Sequence, residues 1–562
     1  MVARPAPTDA RPPGRVRPLE GGDLLVASLE ARGVRRLFSV SGGPINSVYH
    51  ATLHSSVELC HVRHEAAAGF MADATARVTG VPGVAVVTLG PGVTNAVTPV
   101  ATALRAGVPM LVVGGQAPSD QVDREPGMSI DGVAAMRPVT KWAAAVSAAA
   151  RIPEYVEEAW RRMTSGRPGP AYLEIPVDVL TTTVDSLPTV RGERRLAAPA
   201  PPELAADVGE ALRAARRPLL IGGDDVFFSR AGATLRAFVE RHRVPFALLR
   251  LARGAVDERH PLFAGPAYTP ANPVFRRALG ETDCVLLVGH PWEFDLEYGA
   301  ALADDAVVVH VYPDAVVLGR HRRCDLAADC TAESFLSSLA AAPAGVRDDA
   351  WISELVAEWR DVRVRTSREA RAASAGGAMH PVTLVEEILA AAPEQTIFVT
   401  SHGNIDFWAD AQIEVGPQTR YLRAGQYGPL GAEIPYGIAA KLAEPNHAAI
   451  VFVGDGGFGY HCLELETAAR YGAAAIVVVA DDESWGAIAM PQREAYGVEV
   501  EMDLPRRDWP SLVEALGGYG EAVDDPVDVG PALSRCLASG LPSVMHVRVA
   551  SVLSPYMEYI SR

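Results

Sequence analysis

The chain alternates short apolar runs with stretches of helical length. Between residues 21 and 184 the runs LFSV (37–40), VAVVTL (84–89), MLVVGG (110–115) and AYLEIP (171–176) predict buried strands. EAAAGFMADATARVTG and NAVTPVATALRAG, lying between them, predict helices. Strand–helix alternation of this kind predicts a parallel sheet covered on both faces. The pattern then repeats twice. RPLLIGGDD (217–225) reads as a strand and turn followed by a helix through Phe238, with further strands in PFALL, DCVLLVGH (283–290) and AVVVHVYP (306–313). A third block places strands at TIFVTS (396–401), AIVFVGDG (449–456), AIVVVADD (475–482) and SVMHVRV (543–549).

The expected architecture is α/β, with three consecutive doubly wound parallel-sheet domains at 21–184, 201–340 and 379–562. Residues 1–20, rich in Arg and Pro, are expected to form a disordered tail. The Pro-, Ala- and Arg-rich stretch 185–205 is expected to be a linker, and 341–378 a connecting helix. No short internal repeat of solenoid period is present.

Bulk properties narrow the class. A length of 562 residues suits about three or four domains at roughly 100–200 residues each. The formal charge of −17, with no long Lys/Arg run, argues against a nucleic-acid partner. Six scattered cysteines without a CxxC pair predict a reducing, cytoplasmic setting and no disulfide framework. The N-terminus lacks an apolar signal-peptide core, and no run reaches the ~18 apolar residues of a membrane span.

The most informative segment is IVFVGDGGFGYHCLELETAARYGAAAIVVVADDESWG. An apolar strand ends in Gly454-Asp455-Gly456-Gly457, a helix follows, and a second strand ends in Asp481-Asp482. Glycines let backbone approach a phosphate, and the following helix N-terminus favours negative charge. An aspartate at such a turn calls for a cation between it and the phosphate, and an oxygen-liganding ion such as Mg²⁺ fits. An ordinary nucleotide-type glycine turn is the plainer alternative.

With its helix, strand and closing pair of short polar residues, this segment resembles the signature of thiamine-diphosphate-dependent enzymes. Asp482 follows Asp455 by 27 residues, as in that family. The resemblance implies metal ligands at Asp455, Asp482 and Ser484, the last through its backbone carbonyl. It implies cofactor contacts at Gly454, Gly456, Gly457, Trp485 and Gly486. The family usually closes the motif with Asn-Asn; here both positions are aspartate. In AGQYGPLGAEIPYGIAAKLAEP, Gly428 and Leu430 match the segment whose bulky residue props the cofactor's two rings into a bent conformer. Ser401-His402-Gly403-Asn404 matches a turn that approaches the diphosphate; Gly403 and Asn404 are the expected contacts, and His402 reads first as a turn residue.

Arg63-His64-Glu65 resembles the segment of the activating glutamate. The resemblance implies that Glu65 bonds to N1′ of the aminopyrimidine, so that the neighbouring imine removes the C2 proton. By itself Glu65 reads as a first-turn helix carboxylate. VSGGPINSVY, with Gly42 and Gly43, resembles an early turn near the pyrimidine. TLGPGVTNAVTPVATALRAGVPMLVVGGQAP resembles a further family segment, whose Gln116 either faces the reacting centre or bonds to local backbone.

Over nearly the whole chain, including its ending SVLSPYMEYI, the order of motifs is most similar to acetolactate synthase catalytic subunits. This implies thiamine diphosphate and Mg²⁺ as cofactors, a 2-keto acid donor and a carbonyl acceptor. It also implies a homodimer or homotetramer in which Glu65 of one subunit faces the diphosphate site of another. Several loops depart from that pattern. EPGMSIDGVAAM stands before RPVTKW, Pro491 lies where a tryptophan is usual, and Gly289-His290-Pro291-Trp292-Glu293-Phe294-Asp295 replaces the flavin segment, so FAD is not expected. Three readings remain: a carboligase, a decarboxylase or 2-hydroxyacyl lyase without ligation, and a non-catalytic regulatory relative.

Overall fold

The computed structural model describes residues 18–187, 199–269, 271–375 and 377–560. Most of the expected tail and part of the expected linker lie outside the described residues. Two expectations are corrected at their edges. Leu19–Glu20 pairs antiparallel with Thr183–Val184, so the tail's last residues belong to the first block. Pro202–Ala214 is a helix, opened by a proline at its first position, so order returns inside the expected linker.

Three six-stranded sheets follow one another along the chain, and all pairings within them are parallel. Numbered within each sheet by chain order, the first and third share the order 2-1-3-4-6-5, while the middle one runs 3-2-1-4-5-6. The strands read from the sequence are present within one or two residues of their expected ends. Within these three sheets six others were not expected: Glu58–His61, Trp142–Ala145, Phe263–Pro266, Leu326–Ala328, Arg420–Arg423 and Tyr519–Val523. All six are sheet edges. An edge strand is covered less completely and need not be a continuous apolar run. The helix expected to run through Phe238 is two, Asp224–Phe228 and Gly232–His242, separated at Arg230, whose φ of 60° ends the first.

The helix expected to connect the second and third blocks spans Asp349–Ser374. Its first half is not a free connector: Trp351, Leu355 and Trp359 complete a core of the middle sheet. The first and third blocks share a core. Helix Glu65–Thr79 lies against helix Glu433–Ala443. At their contact a buried Asp73–Arg77 ion pair takes the Tyr436 hydroxyl, and Arg77 donates to the Arg423 carbonyl at 2.8 Å. No described helix is long and apolar enough to cross a membrane. The six cysteines are free thiols.

Candidate active site

Open parallel sheets bind ligands beyond the carboxyl ends of their strands, where the strand order reverses. In the third sheet that point lies between Thr396–Thr400 and Ala448–Gly454. The turns leaving these two strands are the ones singled out from sequence, 401–404 and 454–457. A cavity of about 530 Å³ opens there. Gly403, Asn404, Gly428, Leu430, Gly454, Asp455, Gly456, Gly457, Asp482, Ser484, Trp485 and Gly486 all line it, which brings the expected diphosphate and metal residues together.

Three carboxylates converge at its acidic end. Burial pushes Asp455 up to about 8, and the Asp482 and Asp481 carboxylates add to the effect. Burial also lifts Asp482, to about 6, although Ser551 donates to its Oδ2 at 3.0 Å. Asp481 differs. Burial opposes its charge, but His546 Nε2 lies 2.6 Å from its Oδ2 and Glu483 N donates to Oδ1 at 2.8 Å, and together they hold it below the ordinary carboxylate range. Asp481 is thus held by His546 and also shares a side-chain hydrogen bond with Asp455, while Asp455 and Asp482 line the cavity. Among the described residues no three His, Cys, Asp or Glu side chains form a metal cluster. A site of two carboxylates and the Ser484 carbonyl has only two such side chains, and its donors are all hard oxygens suited to Mg²⁺.

The glycines have different reasons. A Cβ on Gly456 would meet the Trp485 ring at 2.5 Å, so this glycine lets the indole lie over the turn. Gly454 has open space where a Cβ would be, consistent with a cradle for a bound group. Asn404 does not reach inward with its amide. Its Nδ2 donates to the Val552 carbonyl at 2.7 Å and its Oδ1 accepts from Ser554 N at 2.8 Å. This tether brings Tyr556 and Met557 to the cavity wall.

Glu65 lies elsewhere. The first sheet has the same strand order; Glu65 opens helix Glu65–Thr79 after the edge strand Glu58–His61, and its carboxyl reaches the turn that leaves Gly83–Val87 at the corresponding reversal. It is 9% exposed, accepts from Asn95 Nδ2 at 2.9 Å, and lies beside Gly92. Gly42 packs on Thr88 in the same crevice, while Gly43 has open space around it. The loop before Glu65 is anchored from the third block, where Glu464 Oε1 accepts from Arg63 N and His64 N at 2.9 and 3.1 Å. Glu65 does not line the cavity that holds Asp455. Gln116 is buried and fully engaged: its Nε2 donates to the Ile130 carbonyl, and its Oε1 accepts from Ala117 N and Ser129 Oγ. Its amide orders the 129–130 loop.

Sequence reasoning passed over Glu433, Gln426, Asp406 and Asn95. Asp406 accepts from Ser401 N and Gly403 N, both at 2.7 Å, and so shapes the 401–404 turn. Glu433 lies in GAEIPYG, but an acid in a helix's first turn usually favours the helix dipole from the surface. Here it faces inward and is 1% exposed.

Two crevices of like topology, one with an oxygen-rich glycine turn and one with a buried carboxylate, mark an α/β protein of the ligand-binding, doubly wound class. Family models agree block by block. The thiamine pyrophosphate enzyme N-terminal TPP binding domain matches residues 19–135, the central domain 205–339 and the C-terminal TPP binding domain 401–547. The chain belongs to the thiamine-pyrophosphate-dependent enzymes of the acetolactate-synthase-like kind. It is 32% identical to the acetolactate synthase large subunit IlvG of Mycobacterium tuberculosis, over 96% of this chain and 97% of that protein. It is 29% identical to 2-hydroxyacyl-CoA lyase 2 of Bos taurus, over 94% and 90%, and 28% identical to the catabolic acetolactate synthase of Raoultella terrigena, over 94% and 95%.

Proposed function

We propose that the protein decarboxylates a 2-keto acid and joins the resulting acyl unit to a carbonyl acceptor, using thiamine diphosphate and Mg²⁺. The observation that carries this reading is the convergence of Asp455, Asp482, Ser484 and the glycine turn on one cavity whose wall includes Leu430. Asp455 and Asp482 would hold the metal, with the Ser484 carbonyl as a third oxygen. Leu430 would support the cofactor's rings, and Glu65 would hold a proton at the aminopyrimidine. When bound, thiamine diphosphate supplies an electron sink for breaking the bond next to the keto acid's carbonyl.

Glu65 and Asp455 line different crevices of one chain, which supports a site completed by a second copy, with Glu65 of one subunit facing Asp455 of the other. In the middle sheet, the crevice at the reversal between Pro218–Gly222 and Cys284–Val288 is filled by the chain's own charges. There Arg250 pairs with Glu293, Asp295 and Asp224, beside a buried His290. This filling supports the reading that no FAD binds there. Similarity to 2-hydroxyacyl-CoA lyases favours one second reading, cleavage of a 2-hydroxyacyl substrate without ligation.

Calorimetric titration of cofactor-stripped protein with thiamine diphosphate and Mg²⁺ tests the binding. Wild type should bind and Asp455→Ala should not; a wild type that binds neither would sink the reading. Glu65→Gln should keep the binding and lose roughly 10²–10⁴-fold in turnover, the range of a general acid–base contribution. Mixing dissociated Glu65→Gln and Asp455→Ala subunits should restore about a quarter of wild-type activity. Half the random dimers are then mixed, and each mixed dimer has one intact site. No recovery would place both residues of a site in one chain. Product analysis with a keto acid, with and without an added aldehyde, separates ligation from plain cleavage.

A further inference from the structure

Charge around the cavity is one-sided. Among the described residues lining it, Arg105 is the one Arg or Lys, and it is exposed, whereas Asp406, Glu433, Asp455 and Asp482 all contribute carboxyls. Asp455 and Asp482 have a metal to answer them on the reading above, and Asp406 accepts from two backbone N–H groups, although burial still pushes it up to about 7. Glu433 has no such answer. Neither of its oxygens makes a hydrogen bond, although its own N–H and that of Gly431 lie near enough to offset a little of its burial. His402 Nδ1 and Gln426 Nε2, on the same wall, are also buried without partners. A buried polar group left unpaired costs about 1–3 kcal/mol, and three such groups on one wall point to an occupant that pairs them. Glu433 Oε1 lies 3.9 Å from the Cβ position of Gly457, which places the carboxyl at the glycine-turn end.

We propose that Glu433 contacts the cavity's occupant directly, donating a hydrogen bond as a carboxylic acid to a phosphoryl oxygen at the diphosphate end. The proposal rests on the thiamine diphosphate reading. An ionised carboxylate there would repel the diphosphate, whereas the acid form supplies a donor where lysine and arginine are lacking. The surroundings agree with the acid form. Burial, then the Asp406 carboxylate, drives Glu433 well above the ordinary carboxylate range. On the elements packed against its helix, Asp73 and Arg77 neutralise each other, and Glu464 is bonded to Arg63 N, His64 N and Thr467. Asp481 is paired with His546, and His461 bonds to the Gly431 carbonyl. Asp406 is left to act on Glu433, and burial together with Arg423 and Arg250 keeps His402, on the same wall, neutral.

The test is calorimetric binding of thiamine diphosphate, and of inorganic pyrophosphate, each with Mg²⁺, across neutral to alkaline pH in two buffers of different ionisation heat. Wild type, Glu433→Gln and Glu433→Leu are compared, after circular dichroism and melting show that each is folded. Glu433→Gln keeps a donor at every pH. Relative to it, wild-type affinity should fall by roughly tenfold per pH unit once the acid ionises, with proton uptake on binding that the glutamine variant lacks. Glu433→Leu should bind both ligands at least about tenfold more weakly than Glu433→Gln. Identical pH profiles and proton counts for wild type and Glu433→Gln would overturn the proposal. So would unimpaired binding by Glu433→Leu. If wild type binds neither ligand, the thiamine reading itself falls, and this proposal falls with it.

Discussion

The middle and third sheets each bury charge at the point where their strand order reverses, but to opposite ends. In the middle sheet the acids surround Arg250, and a second buried cation, Arg253, is held by Glu258 and Asp410 at 2.7 and 2.8 Å. In the third sheet the acids face open volume, and no salt bridge answers Glu433, Asp455 or Asp482 among the described residues. Charge that the chain itself neutralises fills a crevice and becomes scaffold. Charge left unneutralised keeps a crevice available for a ligand. The topology permits either outcome, and the side chains at the turns decide.

The sharpest way to break this contrast is Arg250→Met. Removing the cation leaves Asp224, Glu293 and Asp295 buried together, and the expected cost is about 3–5 kcal/mol of stability, read from chemical denaturation. If stability is unchanged, the middle crevice is not closed by that network. A smaller effect is expected from pH. Burial holds His461 down to about 4, with only partial relief from the Gly431 carbonyl. Its folded-state value lies below the ordinary 6.5, so its neutral form stabilises the fold above about 6.5. That contribution is lost as pH falls through 6.5 towards 4. Melting temperature should drop over this window in wild type and less in His461→Gln; parallel curves would remove His461 as the cause. The smallest effect is expected at Gln426→Ala, where no partner is lost. Stability should stay within about 0.5 kcal/mol, while cofactor affinity weakens measurably.

Legibility from sequence followed the same division. Inner strands such as Cys284–Val288 are unbroken apolar runs, so the three-block plan could be read directly. The edges, ELCH, WAAA and RYLR among them, mix polar and small residues and carry no periodic mark. The glycine turn, with its aspartates at fixed separation, was legible because tight turns and metal ligation each demand particular residue types. Glu433 was not, because nothing local distinguishes an inward acid in a first helical turn from an outward one. Only the packing of its helix against strand Ala448–Gly454 does. The committed amides of Gln116 and Asn404 were hidden for the same reason, since their partners lie 14 and 148 residues away.

The shared core of the first and third blocks also bears on how the chain acquires its fold. Arg77 bonds to the carbonyl of Arg423, 346 residues later, and Asp73 takes the hydroxyl of Tyr436, 363 residues later. During synthesis, the helix carrying these groups emerges long before its partner and must wait with an apolar, partly charged face uncovered. The middle block, with cores of its own, has no such wait. Nascent chains halted before the third block should therefore depend on chaperones to shield one particular helix face, that of Glu65–Thr79.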